Sequence, residues 1–89
     1  MQSKNKKERL VSLYETLSST KNTLECKRLL EDLCTENELY VMAQRLHAAK
    51  MMLEGKTYVQ IIDETGLSSA TLSRISKCVQ FGKGYCKLK

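Results

Sequence analysis

The 89-residue chain contains no proline, so no position breaks a helix by withholding an N–H donor. Aromatic residues make up only 6% of it. Runs of β-branched residues are nearly absent, Val59-Gln60-Ile61-Ile62 being the nearest to one. No apolar run approaches the roughly 18 residues that a membrane span needs. The first apolar stretch, from Leu10, is interrupted by charge, so no secretory leader is expected. Four cysteines stand at 26, 34, 78 and 86 without a C-x-x-C pair, and the single histidine, His47, is far from them in sequence. That spacing argues against a zinc site. No glycine-rich phosphate loop and no Ser/Cys–His–acid arrangement is present, so nothing points to an enzyme. The expected setting is the cytoplasm, with reduced thiols. There Cys26 and Cys34 would act as small hydrophobes on apolar helix faces.

Acidic residues are also missing where it matters. From Thr65 onward there are none, while Arg74, Lys77, Lys83, Lys87 and Lys89 follow. Residues 1–38 carry seven Lys/Arg against seven Asp/Glu, so the whole net charge of +5 belongs to residues 39–89. A one-sided positive field attracts polyanions. The plain alternative is a solvated basic tail.

Long-chain helix formers dominate what is there, and an all-α fold follows from propensity. The length suits one domain, 1–89, which would bury only about 60–65% of its unfolded surface. Met1 to Lys7 is polar and expected to fray. Leu10, Leu13, Tyr14 and Leu17 repeat as one helix face, giving a helix over about 6–18. Asn22 with Glu25 reads as an N-cap, with the carboxylate reaching back to it, for a second helix over about 23–34. Thr35 with Glu38 caps a third, closed by Gly55. Within that third helix, eleven of the fifteen residues from Leu39 to Leu53 are apolar. A helix apolar nearly all round must be covered on several sides. A second copy of the chain does this most simply, giving a homodimer through residues 6–55; a larger mixed assembly is the alternative. Thr57 and Gln60 form another capping box, for a short helix over 58–65. Gly66 breaks it, Ser68 caps the last helix to about Phe81, and residues 82–89 read as a flexible tail.

Residues 57–81 have the pattern of a helix-turn-helix. Gly66 supplies the turn, where positive φ is needed. Ile61 and Ile62 precede it, Leu67 follows, and Leu72 and Ile75 stand six and nine residues beyond, as the inner face. Four residues before the glycine the motif ordinarily has alanine or glycine, because the helices approach closely there. Ile62 departs from this, and its inner role would pass to a neighbour. The expected outer face is Ser69, Ala70, Ser73, Arg74 and Lys77, with Thr71 near its start. Arginine can bond guanine in bidentate fashion, hydroxyls adapt to bases or phosphates, and alanine can meet a thymine methyl. Ser68 and Thr57 stand at helix starts, whose free amides suit phosphate. These residues predict double-stranded DNA as the partner, read in the major groove.

The chain resembles the Trp-repressor superfamily, and within it the YerC/YecD branch of Trp-repressor-related proteins. The resemblance spans nearly the whole chain. It is carried by Leu30-Glu-Asp-Leu-Cys-Thr-Glu-Asn-Glu38, Ala43-Gln-Arg-Leu46, Glu54-Gly55, Thr57-Tyr58, Glu64-Thr-Gly66 and, best, Ser69-Ala-Thr-Leu-Ser-Arg74. It implies an intertwined all-α homodimer that acts as a transcriptional repressor on a palindromic operator, nucleoid-associated when bound. It also implies a tryptophan-like co-repressor, with Arg45 and Arg74 around the ligand and Thr35 helping to hold it. Against that, the repressor has a glycine directly after the recognition-helix arginine, and here Ile75 would fill the space. The stretch from Gly55 to Gly66 is also one residue shorter than in the repressor, and little chain is left for the repressor's last helix. No other cofactor is expected. Arg45 reads alternatively as a surface charge or a partner of Glu38 or Glu54. The competing function is a helical protein-interaction module without DNA readout.

Overall fold

A computed structural model describes residues 3–88, the side chains of residues 3 and 4 excepted. Every regular element among them is helical, as expected: α1 Ser3–Ser18, α2 Thr23–Leu33, α3 Glu36–Leu53, α4 Tyr58–Thr65, α5 Ser69–Phe81, and a 3-10 turn over Tyr85–Leu88. Contacts group into two units, Met1–Glu36 and Asn37–Lys89.

The first unit holds α1 and α2. α1 starts at Ser3 rather than near residue 6, so the polar stretch expected to fray is helical from there; residues 1 and 2 lie outside the described ones. Lysine is a good helix former even where it has nothing to pack on. Asn22 caps α2, its Oδ1 accepting from the Glu25 amide at 2.9 Å. The Glu25 carboxylate reaches back one residue further than expected, accepting from the Lys21 amide at 3.0 Å. α2 ends at Leu33, which makes Cys34 its extended C-cap rather than a helical residue. No described side chain of this unit is buried.

The second unit contains the core. Ala48, Ala49 and Met51 of α3, Ile61 of α4, and Leu72 and Ile75 of α5 form one buried cluster. Met52, Leu67, Val79 and Tyr85 lean on it. Tyr85 thereby ties down the segment expected to be a flexible tail. The part of α3 in this cluster includes two small residues, Ala48 and Ala49, both fully buried. Elsewhere α3 is half-buried or exposed: Tyr40 retains 62% of its surface and Met42 50%.

Glycine ends two of these helices for a stereochemical reason. Gly55 and Gly66 have φ of 85° and 72°, which side chains resist. At Gly66 the amide closes α4 onto the Ile62 carbonyl at 2.8 Å. A Cβ there would meet nothing within 4 Å, so strain alone opposes it. Replacing Gly66 with Ala should cost about 1–2 kcal/mol in urea unfolding, with unchanged helix content by circular dichroism.

Candidate nucleic-acid interface

α4 and α5 are held by caps at both starts. Thr57 Oγ1 accepts from the Gln60 amide at 3.2 Å, and Gln60 Oε1 accepts from the Thr57 amide at 2.9 Å. This is the reciprocal capping box the sequence predicts. Ser68 Oγ accepts from the Thr71 amide at 3.1 Å, which fixes the entry to α5. Between them lies a three-residue turn, Gly66, Leu67 and Ser68.

The faces then sort themselves. Leu72 and Ile75 point into the core at 0% and 3% exposure. Helical periodicity turns Ser69, Ala70, Ser73, Arg74 and Lys77 outward, and all five are exposed. Thr71 is half-buried, its hydroxyl bonded to Ser68 at 3.0 Å. Thr57 and Ser68 are exposed at the helix starts. The outer stripe thus joins two cations, hydroxyls and a small apolar residue, with no carboxylate on α5. On α4 the inner role expected to leave Ile62 does pass to its neighbours. Ile62 is 37% exposed, while Ile61 and Thr65 turn inward at 0% and 8%. The inward position beside the turn is thus taken by a threonine whose hydroxyl is itself bonded, Oγ1 donating to the Ile61 carbonyl at 2.7 Å.

Two contacts that sequence spacing could not reveal join α3 to α4. Gln44 Nε2 donates to the Thr65 carbonyl at 2.6 Å. His47 Nε2 meets Glu64 Oε2 at 2.5 Å, so this histidine is an exposed partner of α4 rather than a core residue. The four cysteines are free, Cys86 exposed and the others half-buried.

The sequence model of the Trp repressor protein family matches residues 8–88. The chain belongs to that family. Its members are non-enzymatic, DNA-binding regulators, and DNA-binding regulation in that general sense is the role of this one. It is 47% identical over 73 residues to the uncharacterized protein YerC of Bacillus subtilis (strain 168), covering 82% of this chain and 70% of that protein. A Trp repressor candidate from Staphylococcus aureus superposes with a TM-score of 0.83 at 38% identity, over 91% of this chain and 82% of that one. A TrpR-like protein from Eubacterium eligens ATCC 27750 gives 0.86 at 35% identity, over 98% and 91%.

Within this Trp-repressor-family chain, the residues tied by resemblance to a co-repressor stand as follows. Arg45 on α3 and Arg74 on α5 are exposed, and Thr35 is exposed just ahead of α3. Ile75, directly after Arg74, fills core space together with Ala48, one turn beyond Arg45. Among the described residues no helix is long and apolar enough to cross a membrane.

Replacing Ser68 with Ala should lower unfolding free energy by about 1 kcal/mol. Ser68→Asp, which keeps a capping oxygen, should match the parent in the same denaturation experiment.

Proposed function

We propose that the chain is a sequence-specific transcriptional repressor that binds a palindromic operator as a homodimer. The observation that carries this reading is the division of α5: Leu72 and Ile75 locked inward, Arg74 and Lys77 free on the outer stripe with Ser69, Ala70 and Ser73. Arg74 and Ser73 suit base edges, and Lys77 with the helix-start residues Thr57, Ser68 and Ser69 suits phosphate. Two copies are favoured by apolar surface a single chain leaves open: Tyr14, Leu24 and Leu33 in the first unit, and Tyr40, Met42 and Leu46 on α3. A dimer would set its reading helices about 34 Å apart, one turn of DNA. The protein would then act in the cytoplasm, on the nucleoid.

This repressor works without tryptophan, because Ile75 occupies the space the ligand would need. A ligand with no preference between two states shifts neither. Millimolar tryptophan should therefore leave operator affinity within about twofold. A tenfold gain, or calorimetric binding of tryptophan to the free protein, would count against it.

Sequences selected from random duplex DNA should contain a palindrome. Arg74→Ala should lose about 1–3 kcal/mol of discrimination at its base in each half-site. Lys77→Ala should weaken binding to all sequences alike and flatten the log–log salt slope by about 2 for a dimer. If both variants bind like the parent, the protein-interaction module is the better reading.

A further inference from the structure

The apolar core that joins α4 and α5 to α3 is small and contains two alanines. Apolar contacts are non-directional and by themselves set an angle loosely. Hydrogen bonds are directional, and the second unit has a chain of them at one place. Thr65 is the last residue of α4 and is buried at 8% exposure. Its Oγ1 donates back to the Ile61 carbonyl at 2.7 Å and accepts from the Leu67 amide, just past the glycine, at 3.2 Å. The last carbonyls of a helix have no partner within it. The Thr65 carbonyl has one from outside, Gln44 Nε2 at 2.6 Å. One turn further along α3, on the same face, His47 reaches Glu64. α3 therefore grips the two residues directly ahead of the turn, from which α5 departs.

We propose that Gln44 is a positioning residue: it latches the turn to α3 and so fixes the orientation in which α5 is presented. This rests on the dimeric DNA-binding reading above, in which α3 belongs to the dimer contact and α5 meets the base pairs. Under it, the latch sets the separation of the two reading helices and thereby the half-site spacing that the protein accepts. Gln44 touches no DNA. It acts through the Thr65 carbonyl, and Thr65 hands the constraint across Gly66 to Leu67.

The test compares the full-length parent with Gln44→Glu and Gln44→Lys. The glutamate is nearly isosteric but places an acceptor against the carbonyl. The lysine keeps an N–H donor of similar reach. Binding is selected from duplexes in which two half-sites are separated by varied spacers. The parent should prefer one spacing. Q44E should accept several, and its ratio of specific to non-specific affinity should fall by about three- to tenfold, as expected for one hydrogen bond. Its non-specific affinity and salt slope should stay at the parent's values, which general destabilisation would not ensure. Q44K should restore the single spacing. Unchanged spacing preference in Q44E, or equal behaviour of the two variants, overturns the proposal. If the parent selects no DNA at all, the DNA-binding reading fails instead. Hydrogen exchange of the Leu67 amide then decides on the latch: faster exchange in Q44E than in the parent and Q44K upholds it, and equal rates overturn it.

Discussion

Everything functional in this chain depends on one small apolar contact, Ile61, Leu72 and Ile75 against the alanines of α3. Each large side chain buried there is worth about 1.5–3 kcal/mol. The contact is made possible by what α3 does not have. Ala48 and Ala49 are fully buried there, with no long side chain to stand between α3 and the aliphatic residues of α4 and α5. Because the inner residues of α5 are committed to that contact, its polar residues have no choice but to face out. The polar outer stripe is the complement of the core, carried on the same thirteen-residue helix.

The small size of that core makes the directional bonds around it matter more. Caps at Thr57 and Ser68 fix where α4 and α5 start, and Gly66 fixes where α4 stops. None adds much energy singly. Together they leave the turn one conformation, because each removes a backbone donor or acceptor that would otherwise seek another partner. Thr65 shows the same economy. At the inward position beside the turn it places a hydroxyl bonded on both sides, to Ile61 and Leu67.

The parts legible in the sequence were those determined within a few residues. The bounds of α4 and α5 follow from T-x-x-Q, a glycine and a serine cap, signals three or four residues wide. The inner and outer faces of α5 follow from its period, since Leu72, Ile75 and Val79 share a side. The parts that escaped are set at longer range or by context. Gln44 and Thr65 are 21 residues apart, and His47 and Glu64 are 17 apart, so no periodicity pairs them. Tyr85 reads as tail until a neighbouring core gives it a place to lean. Ile62 looks like core because it is aliphatic, yet Ile61 beside it takes the inward position. A one-residue choice of that kind depends on the phase of a two-turn helix, which hydropathy alone does not determine. The early start of α1 was hidden by charge, for lysine reads as loop although it favours helix.

The exposed residues of α3 and those that reach α4 share one stretch of helix. Tyr40, Met42 and Leu46 lie open at its start and middle, whereas Gln44 and His47, interleaved with them, reach the end of α4. A rigid helix cannot move its open residues without moving its gripping ones. Tyr40 and Met42 are therefore mechanically connected, through a single stretch of α3, to the turn ahead of α5. The position of that turn against α3 is held by side chains, Gln44 on the Thr65 carbonyl and His47 on Glu64.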